Sequence, residues 1–334
     1  MERPLLKKER IGVMLINLGT PCGISRRDLR CYLAEFLSDR RVIEWPILFW
    51  YPILYGIVLN TRPKKLRKAY ARIWNDETNE SPLRTYTRLQ AEKLHRILDN
   101  ADIDVRWAMR YGQPSVKTVT NALIACGCRR LVILSLYPQY SATTTAAVND
   151  SVFNVLKKTR VIPAIRMVSS YADDSVYIDS LTSSVRKHLA ILDFTPEVIL
   201  ASYHGIPKNY AKRGDPYLRE CERTTVALRH KLGMDKEQMT MTFQSRFMFT
   251  EWLEPYTDRT IEQLARNGIQ SIAVLNPGFA SECLETLDEI VNKAAGIFHK
   301  NGGKNFTHIP CLNDSEEGMH VIEHLVRREL FGWV

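Results

Sequence analysis

The chain has 334 residues, 45% of them hydrophobic, and 46 Lys and Arg against 37 Asp and Glu give it a formal net charge of +9 at pH 7. That much apolar sequence supplies an ample core, and the length exceeds what one hydrophobic core usually serves, so two domains or one large α/β unit are expected. The basic excess, partly gathered in Arg62-Pro-Lys-Lys-Leu-Arg-Lys68, points to anionic partners such as lipid headgroups, nucleic acid or a carboxylate-bearing substrate, and its sign alone does not choose among them.

The first residues, Met1-Glu-Arg-Pro-Leu-Leu-Lys-Lys-Glu-Arg10, carry charges where a signal peptide needs an apolar stretch, so a cytoplasmic protein is expected. Cysteines at 22, 31, 126, 128, 221, 283 and 311 lack the paired Cys-x-x-Cys spacing of a zinc site and read as reduced thiols. Ile11 to Asn17 is a continuous apolar strand, closed by the turn Leu18-Gly-Thr-Pro21. Its glycines, Gly19 and Gly23 with Pro21 between them, do not make the Gly-x-Gly-x-x-Gly of a dinucleotide site, and no P-loop follows. Ser25 caps a helix through Leu29, Leu33, Phe36 and Leu37. The stretch Trp45 to Leu59 is uncharged, rich in aromatics and interrupted by two prolines. It is too short and too broken for a spanning helix, which needs about twenty apolar residues. With the basic cluster behind it, it reads as an exposed lip (Trp45, Phe49, Trp50, Tyr51) suited to peripheral contact with an anionic membrane surface, on the inner face for a cytoplasmic protein.

A helix starts near Asn79-Glu-Ser-Pro-Leu83 and runs to Leu98. Strand and turn follow at Asp104 to Pro114, a helix at Val116 to Ala125, a strand from Arg129 that ends at Tyr137-Pro-Gln-Tyr-Ser141, and a helix from Thr143 to Lys158. From Ala164 the rhythm restarts, with strands near Ile165–Ser169, Val198–His204, Met239–Phe243 and Ser271–Leu275 separated by helical stretches. Alternation of this kind predicts two doubly wound, Rossmann-like α/β domains with parallel sheets, spanning 1–163 and 164–312, and a terminal helix in 313–334 packing back on the body.

Two stretches carry chemistry. Val198-Ile-Leu-Ala-Ser-Tyr-His204-Gly-Ile-Pro207 is a buried-strand pattern that stops at an imidazole, because Gly205 and Pro207 cannot continue the ladder. Ligands bind at the carboxyl ends of such strands, although a histidine that merely plugs a strand end fits equally well. The second stretch, from Val274 through Pro277-Gly-Phe279, opens into an acidic helix where Glu282, Glu285 and Glu289 stand at i, i+3 and i+7. In an α-helix these share one face, a column of like charges that a favourable helix dipole accounts for only in its first turn. The column suits a route for cations or protons. In the last helix His320-Val-Ile-Glu-His324 has the spacing of one class of zinc peptidase. Only ten residues follow His324, too few for a helical third ligand, so these histidines read as ordinary residues of a packing helix.

With these landmarks in order, Leu15-Ile-Asn-Leu-Gly-Thr-Pro21, Tyr137-Pro-Gln-Tyr-Ser141, Ser202-Tyr-His-Gly-Ile-Pro207, Arg213-Gly-Asp-Pro-Tyr217 and Pro277-Gly-Phe279 leading to Leu284-Glu-Thr-Leu287, the chain resembles the ferrochelatases over nearly its whole length. The resemblance implies the class II chelatase fold, with two domains facing across a porphyrin cleft, and insertion of ferrous iron into protoporphyrin at the end of haem biosynthesis. It implies His204 and Glu285 as the catalytic pair and candidate metal ligands, and Leu18, Arg110, Tyr137, Trp252 and Phe279 as porphyrin-lining residues. Glu282 and Glu289 would extend the metal or proton path. Two departures stand out. Many family members have an Asp-His pair where this chain has Glu282-Cys283, so no role of that second histidine carries over. Ala142 and a chain ending at Val334 take the places of the cysteines that hold a [2Fe-2S] cluster in other members, so no cluster and no resident cofactor is expected, iron being substrate. A coproporphyrin chelatase and a non-catalytic porphyrin or haem carrier are the alternatives. Other haem-pathway enzymes are candidate partners, and nucleic acid is not, since no recognised motif accompanies the charge.

Overall fold

The computed structural model describes residues 9–247 and 250–334. Strands β1 (Arg10–Thr20), β2 (Ile103–Gly112), β3 (Cys128–Ser135) and β4 (Ala164–Val168) form one sheet in the order β2-β1-β3-β4, and β5 (Val198–His204), β6 (Met239–Gln244), β7 (Ser271–Leu275) and β8 (Asn305–Ile309) form another in the order β6-β5-β7-β8. Every pairing is parallel. The expected α/β architecture is therefore present, and the two sheets share one winding order. Each sheet places its first strand centrally, with the second strand on one side and the third on the other. That reversal opens a crevice at the carboxyl edge of β1 and of β5.

The sequence pattern explains the central positions. Ile11 to Asn17 and Val198 to Tyr203 are buried along their entire length, as continuous apolar runs must be when helices cover both faces of a sheet. β1 ends where it passes close to β2: Gly19 has φ +113°, and a Cβ there would sit 1.7 Å from the Tyr111 carbonyl oxygen. No side chain other than hydrogen fits.

Two strand assignments differ from expectation. β4, expected to open the second domain, is the edge of the first sheet, in register with β3 from Arg130–Ala164 to Leu134–Val168. A repeating strand–helix rhythm does not say which sheet a strand joins, so the boundary expected at 163/164 falls before the first sheet is complete. β8 was not foreseen, because Asn305-Phe-Thr-His-Ile309 is a short, polar-interrupted edge with only Ile309 buried.

The helix Glu316–Leu330, capped by Ser315, places Val321, Ile322, Leu325 and Val326 in a cluster that also holds Val132 and Leu134 of the first sheet and Ile199, Ala273 and Leu275 of the second. One apolar core thus joins both halves of the molecule. His320 is exposed, and His324 lies 3.4 Å from Asp174, as befits a packing helix.

The uncharged stretch forms a helix over Ile47–Ile53, a π-helical turn over Leu54–Val58 and a further helix over Leu59–Ala71. Leu48 and Phe49 are 81% and 65% exposed, and Trp45, Ile47, Tyr55 and Ile57 are also exposed. Trp50 is not part of this lip. It is 2% exposed and its indole N–H donates to the Leu37 carbonyl at 2.6 Å, while Tyr51 is half-buried. Trp50, Leu54 and Val58, spaced by four, make the inward stripe of this helix. Burying an aromatic of that size contributes on the order of 3 kcal/mol, which decides its orientation. Composition could announce an apolar segment but not which face of it turns inward. Among the described residues no helix is long and apolar enough to cross a membrane.

Candidate active site

A cleft of about 580 Å³ runs between the carboxyl edges of the two sheets, within the range of small-molecule sites. Its walls come from the end of β1 (Asn17 to Thr20), the loop after β3 (Leu136, Tyr137, Gln139), the end of β5 (His204 to Pro207), the segment after β6 and the loop after β7 (Gly278 to Ala280, then Glu285). The expected residues Leu18, Tyr137, His204, Trp252, Phe279, Glu285 and Glu289 all line it.

His204 is the last residue of β5, paired with Gln244 of β6. Its Nδ1 lies 2.6 Å from the Gly205 carbonyl oxygen. A carbonyl only accepts, so Nδ1 carries the proton and the neutral ring keeps its lone pair on Nε2. Gly205 donates its N–H to the Gln244 carbonyl at 2.7 Å, and a Cβ on it would come within 3.1 to 3.2 Å of the Gln244 and Ser245 carbonyl oxygens and of the Trp252 ring. The tight packing explains why a glycine follows the histidine. Lys208 and Leu253 donate to the carbonyls of Glu251 and Ile206, at 2.9 and 3.0 Å, and this short ladder sets Trp252 edge-on to His204 with ring centroids 6.4 Å apart. Trp252 is anchored by its indole N–H to the Phe247 carbonyl at 2.8 Å.

The facing wall is a π-helix over Glu285–Ala294. A π turn takes more residues per turn than an α turn, so Glu285 and Glu289, four apart, lie on the cleft side one above the other. The Gln244 amide donates to the Glu285 carbonyl at 2.8 Å, tying this helix to the strand beside His204. Asp288, fully buried on the other side, is held by Arg72 and by Lys293 at 2.7 Å. The salt bridge to Arg72 links the acidic helix to the one that follows the lip.

Burial pushes the Glu289 carboxyl pKa upward, and the Glu285 charge pushes it further, against the Ser245 hydroxyl and the His204 ring, which pull it down. Glu289 thus feels both members of the expected catalytic pair. Its folded-state pKa lies above its unfolded value, so the native state holds the proton more tightly and stability falls as pH rises through the folded pKa. Glu289→Gln is therefore expected to raise the melting temperature relative to the unmodified protein above that pKa and to leave it unchanged below the ordinary carboxyl range. Thermal melts across pH 4 to 8 check this.

Two expected site residues are placed elsewhere. Glu282 precedes the helix and does not line the cleft. It is 5% exposed, accepts from the Cys311 N–H at 2.9 Å and from the Thr286 hydroxyl, and lies 3.9 Å from His308 Nδ1. The three-carboxylate column is not formed, because the helix begins after Glu282 and is wound differently from the α-helix that the spacing assumed. Arg110 is also off the cleft. Its guanidinium is bound to Asp39, donates to the Ala147 carbonyl at 2.8 Å and stacks 4.4 Å from the Tyr111 ring, and Tyr111 donates to the same Asp39 at 2.8 Å. The two groups its guanidinium bonds, Asp39 and the Ala147 carbonyl, lie 71 and 37 positions away in sequence, so no local pattern announced them.

Other lining residues were missed. Tyr32 and Tyr70 join Tyr137 around Glu285, each with its hydroxyl pKa raised chiefly by burial and also by the Glu285 charge. The Tyr137 hydroxyl is buried without a protein partner. Arg62 stands at the mouth with its guanidinium 3.9 Å above the Phe247 ring and no carboxylate partner among the described residues. It was visible in sequence only as one member of a basic cluster. Cys283 also lines the cleft, and burial pushes its thiol pKa well up, so it is held as a neutral thiol. Among the described residues no three His, Cys, Asp or Glu side chains are grouped to hold a metal ion.

Two parallel sheets of like winding, with an imidazole and a carboxylate pair meeting in an aromatic slot between them, define a chelatase-type protein, and solved structures share the fold. Bacillus subtilis SirB, bound to Fe³⁺, superposes with a TM-score of 0.56 at 9% identity, over 96% of this chain and 95% of that one. A multi-domain Deinococcus radiodurans protein, described as structurally similar to chelatases, gives 0.54 at 9% identity over 95% of this chain and 54% of its own. The chain belongs to the ferrochelatase family: the family model matches residues 10–330. Ferrochelatases of Brucella ovis and Brucella abortus are 64% and 63% identical to it over 329 residues, 98% of this chain and 94% of theirs.

Proposed function

We propose that the cleft inserts ferrous iron into protoporphyrin IX, with release of two protons. The observation that carries this reading is the convergence of His204, on one sheet, and the Glu285–Glu289 pair, on the facing helix, upon a single aromatic-lined slot. Metallation requires the flat macrocycle to give up two pyrrole protons while iron sheds water. The His204 Nε2 lone pair, left free by the Nδ1 contact to the Gly205 carbonyl, is the acceptor for a pyrrole proton. Glu285 guides iron as an oxygen donor, and Glu289, poised by its raised pKa, passes protons onward. Base and metal-ligand roles are exchangeable between His204 and Glu285, since one group does not hold a proton and iron together. Leu18, Tyr137, Trp252 and Phe279 offer the macrocycle apolar surface, and Arg62 takes over from Arg110 the task of meeting a propionate by forked hydrogen bonding.

Anaerobic turnover with ferrous iron, followed by product absorbance, tests this. The expected result is metallation with a higher kcat/KM for protoporphyrin IX than for coproporphyrin III. The reverse ranking assigns the cleft to the coproporphyrin reaction, and tight porphyrin binding without product makes the protein a carrier. We further propose that Leu48, Phe49 and Ile57, beside the basic cluster, rest on an anionic bilayer at the cytoplasmic face, where a poorly soluble porphyrin is exchanged. Co-sedimentation with anionic vesicles that survives Phe49→Glu would end that reading.

A further inference from the structure

The cleft mouth is bridged from one half of the molecule to the other. The Tyr210 hydroxyl donates to the Val42 carbonyl at 3.1 Å and accepts from the Glu44 N–H at 3.2 Å, and the Arg213 guanidinium is bound to the Glu44 carboxylate. All four residues line the cleft. Glu44 and Tyr210 are half-buried, whereas Arg213 reaches outward. One hydroxyl with both its donor and an acceptor site satisfied fixes the strap that carries Glu44, and so fixes where Glu44 meets Arg213.

The bridge alters the charge that the rim offers. Five basic residues line the cleft: Arg62, Lys208, Lys212, Arg213 and Arg246. Three of them are already neutralised, Arg213 by Glu44, Arg246 by Asp258, and Lys208 by Glu254 at 2.8 Å with Glu251 at 4.0 Å. Arg62 and Lys212 have no carboxylate partner among the described residues. The rim therefore presents two uncompensated cations, matching a macrocycle with two carboxylates. A macrocycle with four would have to place the others against rim carboxylates already holding Arg213, Arg246 and Lys208, Glu44 among them, and like charges at close range cost binding.

We infer that the Glu44–Arg213 pair, positioned by Tyr210, is a specificity determinant that selects a two-carboxylate porphyrin over a four-carboxylate one. The inference rests on the proposed function and names residues that set its substrate class. Selectivity here comes from a repulsive element and a withheld cation as much as from attraction.

The test compares binding of protoporphyrin IX and coproporphyrin III to the full-length protein by fluorescence quenching, with protoporphyrin metallation measured on the same preparations. Glu44→Gln frees Arg213 and is expected to tighten coproporphyrin binding by about fivefold, as one newly available, partly exposed ion pair allows, and to change protoporphyrin binding little. Adding Arg213→Gln should abolish the gain, and the charge swap Glu44→Arg with Arg213→Glu should restore the original selectivity. An equal effect on both porphyrins, or a gain that persists in the double glutamine variant, overturns the inference. Protoporphyrin metallation by the unmodified protein with selectivity unmoved by Glu44→Gln sinks this inference alone, whereas absent metallation by the unmodified protein sinks the function on which it rests.

Discussion

Replacing His204 with alanine is expected to lower kcat for metal insertion by about 10²- to 10⁴-fold, the usual contribution of a positioned acid–base group. Porphyrin affinity should change far less. The macrocycle's apolar surface is met by Trp252, Phe279, Leu18 and Tyr137, and Trp252 is held by its own hydrogen bond to the Phe247 carbonyl and by the ladder through Ile206 and Lys208, not by the imidazole. The loss should therefore fall on kcat, the signature of a group used chiefly in the transition state. Steady-state kinetics together with fluorescence titration separate the two quantities. Near-normal turnover would remove His204 from the chemistry and leave it as the strand-end plug that the sequence also allowed.

Glu285→Gln is the second large effect, with kcat for iron insertion expected to fall by about 10²-fold. Glutamine keeps the shape of the side chain, and the backbone carbonyl that receives the Gln244 amide is untouched, so the melting temperature should not drop. What disappears is the negative charge among Tyr32, Tyr70 and Tyr137, and with it the anionic donor for iron. A diagnostic accompanies the loss. Part of the upward push on the Glu289 pKa comes from Glu285. Without that charge the Glu289 pKa moves back toward the ordinary carboxyl value, and the pH at which the protein loses Glu289-linked stability moves down with it. Full activity in Glu285→Gln, measured by anaerobic product formation, would show that a carboxylate is not needed on this wall.

The elements most legible in the sequence were those whose local pattern admits one outcome. A β-branched run stopped by Gly205 and Pro207 had to deliver His204 to a sheet edge, and the alternation of strands and helices had to build parallel sheets. Legibility failed wherever the outcome depended on a distant partner or on helix winding. Arg110 is committed to Asp39, 71 positions earlier. Glu282 kept its α-helical spacing from Glu285 and Glu289 only on paper, because the chain is not yet helical there and is π-helical afterwards. Trp50 belongs by composition to the lip and by its face to the core. Strand β4 looked like the opening of a second unit because nothing in Ala164-Ile-Arg-Met-Val168 specifies the neighbour it pairs with.

The apolar cluster that binds the last helix to both sheets has a mechanical consequence. The two halves share a spine, so they cannot swing apart without breaking it. Any breathing that admits a large flat guest is left to the lighter contacts across the cleft, where the segment from Val42 to Glu44 meets the short segment around Tyr210. Thermal melting has the same constraint: neither half can be shed while the other persists, and the molecule should come undone in a single cooperative step.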